Sequence, residues 1–341
     1  MHLSSPSTSH TSLTGRESSP RSSGFSLLEV LIVILIVAAL LALAYPALRG
    51  AHQRSLKTRE LSNLRQVGMA WFMYAQSNND AAMPGYLDPE VQEDWDVTYD
   101  YPDEIVRSKL ASNKIHPEIA SAWTWRLMPY LSNAGVILRE HLDEDYEPFE
   151  LVEHARDIAF KPGFGYNGYY VGGYWTMTGE ASNRRANFLF SKSRDMNNNI
   201  AGVVARSPSG IRASDRQIVF CSTTWRDTGV YQRGPNSAPG YHLSVPPILG
   251  DRPQWQIPGD SIENIFNDEK VRLGSGDHYA VEALTMSPTP IGRYTGAAVV
   301  FYADGHVDSQ TPGALADQSK WIMGAKQVGE TPARLFTHSF N

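Results

Sequence analysis

From Val30 to Leu48 no charged residue interrupts an almost purely apolar run, and one carboxylate, Glu29, stands at its head. As a helix, such a run rises about 28 Å at about 1.5 Å per residue, which matches the hydrocarbon core of a bilayer. A segment this uniform has no polar face to turn toward water, so it calls for lipid or a continuous apolar coat. The carboxylate tightens the constraint. A charge inside a span costs on the order of 2.5 to 3.5 kcal/mol on insertion scales, so an acid kept there is expected to have a function and a partner.

The segment ahead of this run is of a different kind. Residues 1–23 are rich in Ser, Thr and Pro and carry Arg16 and Arg21 against Glu17, a composition that builds no core. A secretory signal places an apolar stretch of about 7 to 15 residues before its cleavage site. Here the order is reversed, and a cut after Gly24 leaves the apolar helix on the mature protein.

The string Gly24-Phe25-Ser26-Leu27-Leu28-Glu29 resembles the junction of type IV prepilins and type II secretion pseudopilins. The resemblance implies that a prepilin peptidase cuts between Gly24 and Phe25, that the new N-terminus is N-methylated, and that Glu29 serves assembly by meeting the Phe25 amine of a neighbouring subunit. Pro46 falls where many pilins carry a helix-bending proline and is assigned to assembly with Glu29. Implied partners are the prepilin peptidase, other pilin or pseudopilin subunits, the inner-membrane assembly machinery and membrane lipid. The implied location is the cytoplasmic (inner) membrane, crossed once, with the head outside the cytoplasm and the subunit built into a filament or accessory to one. Charge alone argues the other way, since Arg49, Arg54, Lys57, Arg59 and Arg65 on the far side outnumber Arg16 and Arg21. Long domains translocate largely regardless of flanking charge, so the resemblance sets the orientation.

Past the membrane, Leu56, Glu60, Leu64, Val67, Trp71 and Tyr74 recur at spacings of 4, 4, 3, 4 and 3, one face of a continuing helix. Asn78 to Gly85 supplies a stop. The expected organisation is a cleaved leader at 1–24, a transmembrane helix at 25–48, an amphipathic continuation at 49–79 and a β-rich globular head at 80–341. The expected fold class is α+β: a long N-terminal helix packed on a mainly antiparallel sheet with long loops. Runs from Gly168 to Met177, Ala201 to Val204, Ile218 to Phe220 and Ala297 to Tyr302 read as strands, and Ile119 to Leu131 as a short helix. Segments 232–260 and 285–292, rich in Pro and Gly, read as ordered loops. Asp304-Gly305 offers the positive φ angles of a tight hairpin. This C-terminal hairpin, ending His306-Val307-Asp308, is similar to one in a group of large-headed pseudopilin-like proteins, with Tyr294 where that group has a His.

The chain of 341 residues is 42% hydrophobic and 19% charged, ordinary for a globular head once the anchor is set aside. The formal charge of −6 becomes about −7 when the leader's two Arg and one Glu are removed, a poor match to nucleic acid. One cysteine, Cys221, excludes an intrachain disulfide and reads as a buried strand residue.

Signals for catalysis are weak. The acidic segment Asp88, Glu90, Glu93, Asp94, Asp96, Asp100, Asp103 and Glu104 suggests calcium at best, since it lacks the spacing of an EF-hand loop, and a solvated loop explains the same letters. Asp304, His306 and Asp308 alternate along a strand and are weak metal candidates, with His278 as a further ligand. Gly163 to Gly168 matches the letters of a dinucleotide loop but lacks the helix that must follow. No nucleophile elbow, zincin motif or phosphate loop is present, so no enzyme is expected. Aromatic residues from Tyr166 to Trp175 could stack sugars, although a strand pair filling its own core explains them as well. Two rivals remain: a solitary envelope protein that displays a binding head on a pilin anchor, and a hydrolase tethered the same way.

Overall fold

The computed structural model describes residues 26–101, 112–131, 134–137, 153–180, 182–190, 202–224, 240–249, 252–256, 282–283, 288–294 and 296–325. Readings that fall on His278, Asp103, Glu104, Gly24, Phe25 and parts of 232–260 lie outside these residues.

One helix, α1, runs Leu27–Ser77 over 51 residues with Pro46 inside it. The chain divides into two compact units, Met1–Ala51 and His52–Asn341. In the first, the side chains from Leu27 to Leu48 are exposed throughout the apolar run. In the second, the helix buries Leu64, Val67, Gly68, Ala70, Trp71 and Ala75, with Leu61, Phe72 and Tyr74 partly buried beside them. The stop is a left-handed pair. Asn79 and Asp80 have φ of 55° and 63°, and the Asp80 amide donates back to the Ala75 carbonyl at 2.8 Å, the closure of a Schellman-type end. The Asn78 side chain adds a bond to the Tyr74 carbonyl at 2.7 Å.

The strands are β1 (Tyr86–Leu87), β2 (Phe164–Tyr166), β3 (Tyr174–Thr178), β4 (Arg185–Phe188), β5 (Ile218–Thr224), β6 (Ile248–Leu249), β7 (Arg252–Pro253), β8 (Trp255–Gln256), β9 (Glu282–Ala283), β10 (Thr289–Pro290), β11 (Ala298–Tyr302) and β12 (Val307–Gln310). Five of them form the central sheet, in the order β10-β5-β11-β12 with β2 also paired to β5, all antiparallel. A smaller sheet, β1-β3-β4, contains a parallel pair, β1 with β3. The class is α+β, and the sheets are mixed as well as antiparallel.

Both faces of the central sheet are covered, which is why β5 and β11 are buried at every position. Val299 and Phe301 point into the core shared with α1, while Ala298, Val300 and Tyr302 join Trp255, Leu315 and Trp321 on the opposite face. This alternation is the period of two in a strand. A bulge between Phe301 and Tyr302 shifts the register with β5. The Trp residues are not merely filler: Trp71, Trp123, Trp125, Trp255 and Trp321 are fully buried, and every ring N–H donates to the protein.

Several expectations are corrected. Residues 202–204 form no strand, and the expected loops at 232–260 and 285–292 contain the short strands β6, β7, β8 and β10, because two-residue pairings carry no periodic signal. Ile119 to Leu131 is not one helix but two short turns, Pro117–Ala120 and Thr124–Leu127, followed by a 3-10 turn at Met128–Tyr130. Between them Ala122 bridges Tyr86 and the Ser121 carbonyl accepts from the Leu87 amide at 3.0 Å, so sheet pairing pulls the chain out of the helix. Gly168 to Met177 is a strand only from Tyr174, because Gly172 and Gly173 adopt φ of 75° and 87°. At the C-terminal hairpin Gly305 takes the positive φ, 96°, and Asp304 does not. The Gly305 amide donates to the Tyr302 carbonyl at 2.9 Å and the Tyr302 amide to the His306 carbonyl at 3.0 Å, a type I-like turn closed by a left-handed glycine.

Candidate functional site

The start of α1 is built by two residues of the motif. The Ser26 hydroxyl accepts from the Leu28 amide at 3.3 Å, and the Glu29 carboxylate accepts from the Ser26 amide at 3.0 Å. This is the reciprocal geometry of a capping box, Ser-x-x-Glu, which satisfies helix-start donors that have no intrahelical acceptor. The carboxylate also sits at the positive end of the helix dipole. Glu29 therefore has a partner within its own chain. The Ser-x-x-Glu spacing is the sequence signal for this cap.

Beyond this cap the helix offers lipid-compatible surface and little else. Among the described residues one helix is long and apolar enough to cross a membrane, and none of its apolar window is buried within the protein. Pro46 lies within α1 without ending it. Its missing N–H leaves the Ala42 carbonyl without the usual helical donor.

The second unit grips the helix through polar contacts that the apolar pattern did not disclose. Glu60, on the buried face, accepts from the Ser222 hydroxyl at 2.9 Å and lies 3.6 Å from the Arg293 guanidinium. The latter distance is an ion pair too long for a hydrogen bond. Arg293 is itself buried and donates to the Thr223 carbonyl at 2.5 Å. Lys57 donates to Ser309 of β12 at 2.6 Å. Gly68 completes the contact: a Cβ there would lie 2.0 Å from the Phe301 ring, so the lack of a side chain lets helix and sheet meet. The signal for Glu60 was an acid in a run of apolar positions.

The remaining candidates are dispersed. His306 Nδ1 lies 2.6 Å from Asp304 Oδ1, and the His306 amide donates to the same carboxylate at 3.0 Å. Partial burial acts against ionisation of Asp304, but these bonds prevail and hold its pKa below the ordinary range. Asp308 instead accepts from its neighbours Ser309 and Gln310 at 2.7 and 2.6 Å. Among the described residues no three His, Cys, Asp or Glu side chains come together as a metal-ligand set. In the acidic segment Asp88 caps the short helix Pro89–Asp94, Glu90 pairs with Arg184, and Asp96 and Asp100 are exposed. Cys221 is fully buried in β5, where desolvation pushes its thiol pKa far up. Gly163 to Gly168 runs through β2, with no helix after it. Of the aromatics that follow, Tyr170 is buried against Phe190, and Tyr169 stacks on Tyr174, which stacks on Tyr86.

The chain matches the prokaryotic N-terminal methylation motif over residues 19–45, a span that holds Gly24, Phe25, Ser26 and Glu29 and ends one residue before Pro46. No curated protein and no solved structure matches the chain. The motif supports a type IV pilin-like protein that is processed by a prepilin peptidase and anchored by its N-terminal helix.

Proposed function

We propose that this chain is a pilin-like subunit of a type II secretion pseudopilus or a type IV pilus. It is cut between Gly24 and Phe25, held in the cytoplasmic membrane by the first part of α1, and carries its head on the outer side. The observation that supports this most is the pairing of a methylation motif with an apolar helix that none of the described residues covers. Lipid covers it before assembly, and the same surface of neighbouring copies covers it afterwards. Glu29 and the freed Phe25 amine then bring opposite charges into a low-dielectric bundle, where each neutralises the other. Residues 1–24 are the removed leader, 25–48 the span, 49–79 the helical bridge and 80–341 the head. The role is structural rather than catalytic, and the size of the head favours a minor or specialised subunit.

Mass spectrometry of the mature N-terminus tests the reading. The expected product begins at Phe25 with an added methyl group, and Gly24→Leu accumulates uncut protein. An intact leader in the wild type, or normal processing in Gly24→Leu, would contradict it.

A further inference from the structure

Within the second unit a cleft of about 910 Å³ opens beside the end of α1, a size near the upper end of ligand sites. Its walls come from three stretches of chain: Tyr74 and Asn78 from the helix end, residues 96–101, and residues 125–131. The second wall is set by a left-handed Asp96, φ 50°, which turns the chain out of the short helix Pro89–Asp94. It is then pinned by the Tyr101 amide to the Asn113 carbonyl at 2.9 Å and the Ile115 amide to the Tyr99 carbonyl at 2.8 Å.

Aromatic faces dominate the cleft, and they are fixed by one another. Tyr74 and Tyr130 meet edge to face at 6.1 Å, and Tyr101 meets Trp125 at 5.1 Å. Tyr74, Tyr99 and Tyr130 remain partly exposed, so their rings are available. Beneath them lies a buried cation. Arg126 is 2% exposed, its terminal nitrogens donate to the Ala120 and Pro84 carbonyls at 2.7 Å, its Nε has no hydrogen-bond acceptor among the described residues, and its guanidinium lies 5.8 Å from the Tyr99 ring centre. Burial pushes the Tyr74 phenol up to about 12, against the opposing pull of Arg126, so it remains a donor. At the rim, exposed Asp96 and Asp100 supply acceptors.

We propose that this cleft binds a neutral polysaccharide, with pyranose rings lying on Tyr99 and Tyr130 and their hydroxyls bonded to Asp96, Asp100 and Asn78. The chemistry matches on each count. Sugar rings present flat C–H faces that pack on aromatic rings, and their hydroxyls both donate and accept. Among the described residues, two rim carboxylates face one buried, carbonyl-capped guanidinium, a net negative lining that disfavours acidic glycans and nucleic acid. The inference stands whether or not copies of the chain assemble.

The test is calorimetric titration of the full-length protein, solubilised in a sugar-free detergent, with cellohexaose, mannohexaose and laminarihexaose, and with an acidic alginate hexamer. At least one neutral hexasaccharide is expected to bind with one site per chain. Tyr99→Ala and Tyr130→Ala, each with an unchanged near-ultraviolet circular dichroism spectrum, are expected to weaken binding about tenfold. Asp100→Asn, an isosteric change at an exposed position, weakens it less. Trp95→Ala, outside the cleft against Trp175, leaves it unchanged. The proposal is overturned if none of the three neutral sugars binds at millimolar concentration, if only alginate binds, or if binding survives both tyrosine substitutions intact.

Discussion

The two parts of α1 have similar appetite for burial and opposite fates. From Val30 to Leu48 the helix is apolar around its whole circumference and its side chains are exposed; from His52 on it is amphipathic, and its stripe of Leu64, Val67 and Trp71 is fully buried. Periodicity makes the difference. A stripe fits one sheet and leaves a polar face for water, whereas an unbroken apolar surface fits only an environment that is apolar on all sides. The gripped part also carries the polar locks, Glu60 with Arg293 and Lys57 with Ser309, while the bare part carries one acid at its very start.

The largest effect on this contrast is expected from Glu60→Ala. Withdrawing the carboxylate from buried Arg293 and Ser222 should destabilise the second unit by about 3 kcal/mol, in the range for breaking a buried pair. Urea unfolding followed by tryptophan fluorescence checks it, because all eight Trp lie at or beyond Trp71 and report the second unit alone. A midpoint equal to wild type would show that the helix is held by apolar contact and not by this lock.

Acid gives the next effect. His242 is buried, and desolvation lowers its pKa to about 3, with the Phe160 backbone opposing and Arg126 assisting. Because the folded pKa lies below the unfolded one, the contribution is complete above pH about 6.5 and is lost as pH falls toward 3. The head should lose about 3 kcal/mol between pH 7 and pH 4 from this group. His242→Gln should flatten that slope; an unaltered slope would assign acid sensitivity to other groups.

A paired glycine experiment compares the two parts directly. Gly68→Ala drives a Cβ into the Phe301 ring, and overpacking of this kind costs about 1 to 3 kcal/mol. Gly50→Ala meets nothing within 4 Å and should leave head stability unchanged, since a helical Gly is if anything the weaker residue. Equal thermal shifts in the two variants would break the comparison.

Much of this organisation could be read from residues. The helix and its stop followed from spacing and from Asn79-Asp80, and β5 and β11 from dense β-branched runs, because these signals are local. The partner of Glu60 was not legible, since Arg293 is more than two hundred positions away and announces nothing by itself. Ile119 to Leu131 misled because helical composition lost to pairing with Tyr86, a tertiary contact. The cleft was hidden for the same reason: its tyrosines come from stretches that fold together only in the head. At the motif the capping role of Glu29 is written in Ser26-x-x-Glu29, and the same residue is also a lone charge at the head of an apolar run.

That dual role defines the decisive measurement. A glutamine at position 29 can still cap the Ser26 amide but carries no charge, whereas valine does neither. Cysteine crosslinking between neighbouring subunits in native membranes should therefore be compared in wild type, Glu29→Gln and Glu29→Val, alongside membrane insertion and processing. Assembly through a Glu29–Phe25 charge pair predicts that both variants insert and are cut while crosslinked multimers disappear in both. Wild-type multimers in Glu29→Gln would reduce Glu29 to a helix cap and contradict the account.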